Sequence, residues 1–135
     1  MTREEHLQRI VAKCRELLAI AQKRTPGKWH CPNTRTEVFM SDSRPVAMCW
    51  GPDASAHGNA AFIALCAGTA EAGCKATIVA IEGLDEQRKH IESISRFLSL
   101  NGQYYNDLNP HREAMLRREK ITTDNLIAAW PEELL

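Results

Sequence analysis

Residues 3–24, REEHLQRIVAKCRELLAIAQKR, carry apolar side chains at Leu7, Ile10, Val11, Cys14, Leu17, Leu18 and Ala21. Positions three and four apart share one face of an α-helix, so this run predicts an amphipathic helix with one apolar stripe. Thr2 and Glu5 have the spacing of a capping box. Acidic residues open the run, and Lys23 and Arg24 close it, which suits the helix dipole. Pro26-Gly27 then stops the helix. A single stripe must be buried against another layer, and the next thirty residues supply one.

Thr25 precedes a proline and is pushed toward extended backbone. Gly27 permits a positive φ. Residues 28–31 then predict a short strand, with Trp29 and Cys31 on one face and Lys28 and His30 on the other. Trp29 is expected to anchor the helix to the sheet. Residues 36–40 and 45–50 form a second and third strand. Ser41-Asp42-Ser43-Arg44 supplies turn chemistry between them. Pro45 fits a strand start or edge, and Gly51-Pro52-Asp53 ends the hairpin.

From residue 53 the composition turns to small side chains, DASAHGNAAFIALCAGTAEAG. Asp53 or Ser55 fits a helix cap. Ala60, Ile63, Ala64 and Ala67 share one helical face. Gly68 and Gly73 leave open whether residues 55–82 form one helix or two, and Gly83 has the character of a C-cap. Residues 85–100 carry a further stripe of Ile91, Ile94, Phe97 and Leu98, joined by Leu84 and ended by Asn101-Gly102. After the polar loop QYYNDLNPH, residues 110–130 are helical again. Asn109 serves as cap, Pro110 as first helical residue, Thr122 or Thr123 as a restart point and Trp130-Pro131 as the end. The expected fold is α+β. An N-terminal amphipathic helix lies on a small antiparallel sheet of about three strands, followed by a helical C-terminal half. The 135 residues are expected to form one domain, with residues 1–83 as its helix-sheet-helix core and 84–135 as a helical extension.

Seventeen basic and seventeen acidic residues give no net charge, which argues against a general nucleic-acid binder. Five cysteines, an odd number, with a charged N-terminus and no apolar leader, point to reduced thiols in a cytoplasm. No run of 18 consecutive apolar residues occurs, so no membrane span is expected.

Four side chains, His30, Cys31, Cys49 and His57, invite a metal reading. No Cys-x-x-Cys pair occurs, and His30 and Cys31 point to opposite sides of a strand, so no metal site is expected. Cys66 and Cys74 lie in apolar helical settings that do not favour a thiolate. Phosphate-binding loops and the common hydrolase motifs are absent. The most suggestive polar cluster is late in the chain: Tyr104, Tyr105, Asn106, Asn109, His111, Arg112, Arg117 and Arg118. We take Tyr104, Tyr105, Asn109, Arg112, Arg117 and Arg118 as candidate binding residues. The set fits a protein-binding face, since Tyr and Arg concentrate at hot spots. It also fits a nucleotide site, by stacking and charge-assisted phosphate contacts. The third alternative is a solvated helix face whose arginines pair with Glu113 and Glu119.

One pattern spans the first half. Thr25-Pro26-Gly27, Trp29, then Val46-Ala47, then Asn59-Ala60-Ala61-Phe62-Ile63 resembles a group of small phage and prophage proteins with a TPGPW-like motif, the Ead-like group. The resemblance covers about residues 15–82. Lys28 stands where that motif has its second proline, and residues 84–135 have no counterpart. The resemblance implies an origin in a phage or prophage accessory region, and it brings no catalytic residues or cofactor with it. The expectation is a non-enzymatic inhibitor in the host cytoplasm that binds a defence protein or nuclease complex, as anti-CRISPR proteins do. The alternatives are a sponge for a signalling nucleotide near Tyr104, Tyr105, Arg112 and Arg117, and a small cysteine- or metal-dependent enzyme. Apolar surface left over from the stripes on the first helix and on residues 85–100 leads us to expect a homo-oligomer, most simply a symmetric dimer.

Overall fold

The computed structural model describes residues 1–51 and 53–135. The strand end expected at Pro52 and the side-chain cap expected at Asp53 lie outside the described residues. The fold is α+β. Helix α1 spans Arg3–Ala21, strands β1, β2 and β3 span Trp29–His30, Glu37–Met40 and Pro45–Met48, helix α2 spans Asp53–Leu100, and helix α3 spans Tyr105–Ala129. Short 3-10 turns, Gly102–Tyr104 and Glu132–Leu134, flank α3. The chain divides into two compact units. One holds Met1–Cys14 with Ala76–Leu135, and the other holds Arg15–Lys75. This division differs from the boundary expected at residue 83, because α1 and α2 each contribute to both units.

In Arg15–Lys75 the three strands form an antiparallel meander in the order β1-β2-β3. Trp29 pairs with Met40 and His30 with Phe39. Val38 pairs with Ala47, and the register slips between Val38 and Phe39. Ser43 takes a positive φ of 67° in the β2–β3 turn, where its N–H donates to the Met40 carbonyl at 2.9 Å. Alternation along β1 holds as expected. Trp29 and Cys31 pack toward the core, while His30 meets Phe39 with ring centroids 6.1 Å apart.

The start of α2 covers this sheet. Ala60 and Ala64 are buried against Val38, with Trp29, Cys31, Val46, Ala47 and Cys49 around them. Ile63 does not join that face. It is exposed, and Ala67 has left the helix. At Ala67 ψ is 113°, and at Gly68 φ is +90°, so α2 is two helical segments, 53–66 and 69–100. This settles the break at Gly68. Gly83 is a correction: it lies inside the second segment and caps nothing, because Ile81 and Leu84 on either side are buried and carry the helix through.

In the other unit, α1 begins with the expected capping box. The Thr2 N–H donates to Glu5 Oε2 at 2.7 Å, and the Glu5 N–H donates to Thr2 Oγ1 at 3.1 Å. Leu7, Ile10, Val11 and Cys14 form the buried stripe. Helix α3 starts at Tyr105, so Pro110 sits inside it rather than at its first position. The missing N–H affects one bond near the exposed start of the helix. Thr122 and Thr123 do not restart the helix. Their hydroxyls bond back to the Arg118 carbonyl at 3.0 Å and to Glu119 Oε1 at 3.1 Å, within a continuous helix.

By length and composition alone, residues 55–100 are long and apolar enough to cross a membrane. The kink at Ala67–Gly68 interrupts them, and Glu71, Lys75 and Glu82 add charges along the way.

Gly68→Ala tests the break. Open space surrounds the position a Cβ would occupy, so only the backbone conformation opposes the change. The variant is expected to lose about 2 kcal/mol in urea unfolding, the scale for forcing an L side chain to positive φ.

Candidate functional site

The six candidate residues separate into two places. Tyr105, Asn109 and Arg112 recur at helical spacing on α3 and line a groove of about 240 Å³ with Ser95, Leu98 and Ser99 of α2. Arg112 Nε donates to Ser95 Oγ at 2.7 Å, and its Nη1 donates to Glu113 at 2.9 Å and to Asn109 Oδ1 at 3.4 Å. The guanidinium is therefore already occupied. Tyr104 lies in the preceding turn, its ring centroid 5.5 Å from that of Phe97. Arg117 and Arg118 are exposed further along α3, outside the groove. Neither makes an ion pair among the described residues. Ligand pockets for drug-sized molecules run from about 300 to 1,000 Å³, so the groove is small for a nucleotide.

What fixes this helical unit is a set of polar residues that sequence reasoning missed. Ile81, Leu84, Arg88, Ile91, Ser95 and Leu98 alternate spacings of three and four along α2. That is a heptad seam in which Arg88 and Ser95 replace two apolar members, and this signal was available in the sequence. Arg88 reaches both neighbouring helices. Its Nε donates to Glu119 on α3 at 2.8 Å, and its Nη1 donates to Glu4 on α1 at 2.5 Å. Glu119, which the solvated-face alternative pairs with arginines of its own helix, instead holds Arg88 and accepts the Thr123 hydroxyl. Burial works against the Arg88 charge, and the Glu119 and Glu4 carboxylates outweigh it, raising its pKa above the ordinary value. The Gln8 amide, opposed by burial and aided by Arg88, holds the Glu4 carboxyl below its ordinary range. His6, buried on α1, adds a bond from Nε2 to the Trp130 carbonyl at 2.8 Å.

The sheet unit offers two other chemical arrangements. Cys31 Sγ lies 3.8 Å from His57 Nδ1. That same nitrogen is 2.6 Å from the Arg35 carbonyl, which can only accept, so Nδ1 carries the proton. It cannot take a proton from Cys31, and burial, Cys49 and Glu37 in turn push the thiol pKa up. The contact links the residue that follows β1 to α2, without the low-pKa thiolate that a nucleophile needs. Among the described residues, no three His, Cys, Asp or Glu side chains converge as metal ligands.

A hollow of about 340 Å³ runs beside β1, lined mainly by Trp29, Cys31, Ala61, Ala64, Leu65 and Ala67, with Lys28 at its edge. The Trp29 indole N–H donates to the Thr25 carbonyl at 3.1 Å, and the Arg24 guanidinium lies 5.3 Å from its ring centroid. Arg24 was expected to serve the end of α1. It lies past that end and donates to Glu71 at 2.9 Å and to the Thr25 and Gly27 carbonyls. TPGKW is thus a local clamp, with Gly27 at φ +102° turning the chain so that Arg24 covers Trp29.

The chain matches no protein-family model, no curated protein and no solved structure.

Arg88→Met leaves Glu119, whose side chain is 15% exposed, without its cation. The expected cost is about 2 kcal/mol at neutral pH by denaturant unfolding, the scale for an abandoned partly buried charge. Glu4 gives a pH test. Its folded pKa lies below the ordinary 4.5, so its contribution is complete above that value and is lost as pH falls through the lower folded one. The stability difference between wild type and Glu4→Gln is expected at pH 7 and should shrink toward zero below pH 4.5 as Glu4 protonates.

Proposed function

We propose that the chain is a non-enzymatic accessory protein of a phage or prophage that acts in the host cytoplasm by binding a host defence protein and blocking it. The observation that carries this reading is the outer face of α3. Arg117 and Arg118 stand exposed there beside Ile121, which is 55% exposed, and no carboxylate among the described residues pairs with either arginine. The seam through Arg88, Glu119 and Glu4 holds that helix in place from behind. A fixed helix presenting two unpaired guanidinium groups and an aliphatic side chain has the make-up of a protein-binding hot spot. The chemistry it fits is a carboxylate-bearing surface on the target. The phage or prophage origin rests on the TPG-x-W and NAAFI pattern of residues 25–63.

The nucleotide-sponge alternative has less support, because the groove beside Tyr105 and Arg112 is small and Arg112 is engaged within the fold.

Expression of the chain in bacterial strains that each carry one active defence system tests the proposal. Phage plating efficiency is expected to rise on the strain whose defence is the target. Arg117→Glu with Arg118→Glu should cut that rise at least about tenfold, the scale for losing hot-spot arginines. Unchanged circular dichroism would show that the fold survives. Full protection by the charge-reversed variant would rule out this face as the binding surface.

A further inference from the structure

Strand β1 ends the sheet order β1-β2-β3, so one of its two edges meets no other strand. The register fixes which of its main-chain groups point that way. The Ser41 N–H donates to the Lys28 carbonyl at 3.2 Å, and His30 stands opposite Phe39. Bonded and non-bonded pairs alternate along an antiparallel ladder, so Trp29–Met40, between these two, is a non-bonded pair. Met40 agrees. Its N–H goes to the Arg44 carbonyl and its carbonyl accepts from the Ser43 N–H, both at 2.9 Å and both on the side of β2 away from β1. Trp29 therefore finds no main-chain partner on β2, and its N–H and C=O point out from the free edge.

That edge is also one wall of the hollow of about 340 Å³. Lys28 to Cys31 line it as four consecutive residues, and Ala61, Leu65 and Ala67 of α2 stand across from them. Among the described residues, no Asp or Glu lines the hollow. Lys28 lies at its rim, and no carboxylate among the described residues pairs with it.

We infer that the edge of β1 takes an extended peptide of a partner protein as a fourth, antiparallel strand, with an acidic–apolar–acidic pattern at its centre. Each part of the pattern answers one feature of the edge. The outward N–H and C=O of Trp29 select a main chain, which returns one acceptor and one donor. The peptide residue opposite Trp29 shares its face of the sheet, the face that α2 covers, so its side chain enters the alanine-lined hollow. A large aliphatic side chain suits that space. The two neighbouring peptide residues fall on the face of Lys28 and His30, where a cation without a carboxylate selects acidic side chains. A bare apolar molecule would fill the hollow and leave the Trp29 groups and Lys28 unanswered. The inference rests on β1 and not on the arginines of α3, so it stands or falls apart from the proposed function.

Magnetic resonance of the nitrogen-labelled full chain, followed at the Trp29 amide, tests it. The probe is a blocked peptide of glutamate, leucine and glutamate with two threonines on either side. The Trp29 signal is expected to shift, with binding that saturates below about 1 mM peptide, the weak end of specific affinities. Its hydrogen exchange should slow as the peptide is added. Lys28→Glu should weaken binding about fivefold and strengthen binding of the peptide with lysines for both glutamates by a similar factor, the scale for reversing one exposed charge pair. Ala61→Phe, which fills the hollow, should abolish binding with circular dichroism unchanged. Methylation of the leucine main-chain nitrogen should also abolish it, by removing the donor to the Trp29 carbonyl. An unmoved Trp29 signal, or equal binding of the methylated peptide, would overturn the inference. Equal binding by Lys28→Glu would overturn its acidic pattern. Protection of the Trp29 amide on concentrating the chain alone would overturn it as well, by assigning the edge to a second copy.

Discussion

Ala60 and Ala64 bring the backbone of α2 down onto Val38, and the sheet unit is arranged around that contact. A one-carbon side chain lets helix and sheet approach closely, and in return contributes little apolar area of its own. Val38, fully buried, supplies about 2 kcal/mol, and Trp29 adds the bulk that alanines lack. The clamp of Arg24 on Trp29 holds that ring in place, and the Cys31–His57 contact links the residue after β1 to the same helix. Once the alanine side faces the sheet, the 3.6-residue period leaves Phe62 and Leu65 no course but outward. The break at Gly68 then ends the covering segment.

The helical unit uses a different device. Its seam carries Arg88 and Ser95 where a heptad prefers aliphatic residues, and each has a specific partner, Glu119 and Glu4 for the first and Arg112 for the second. Sliding any helix by one turn would leave these groups unpaired, which penalises the wrong register more than it strengthens the right one. The same seam withdraws Arg112 from solvent chemistry while Arg117 and Arg118 remain outside. One helix thus separates a structural cation from two exposed ones.

Much of this was legible in the sequence where one local rule acts alone. The Thr2–Glu5 box, the Pro26–Gly27 stop, the alternation of Trp29 and Cys31 against His30, and the three-strand meander all follow from spacing. Breakers misled where tertiary burial outweighs local cost. Gly83 sits between buried Ile81 and Leu84, and Thr123 is buried within α3, so both helices run through. The face assigned to Ala60, Ile63, Ala64 and Ala67 was half right, because the sheet selects the smallest side chains and Gly68 removes Ala67. Of the six candidate site residues, the groove gathers Tyr105, Asn109 and Arg112, since only these share a face seven residues long. The partners of Arg88 and Arg112 across helices have sequence separations of 17 to 84 residues, beyond what local pattern reveals.

The outward placement of Phe62 and Leu65 on an alanine-seated helix is the central claim, and hydroxyl-radical footprinting read by mass spectrometry tests it most directly. Phe62 and Leu65 should label strongly while Val38 stays protected. Protection of Phe62 at every dilution, with labelling of Val38, would contradict the account by showing that the large face of the helix, rather than the alanine face, meets the sheet.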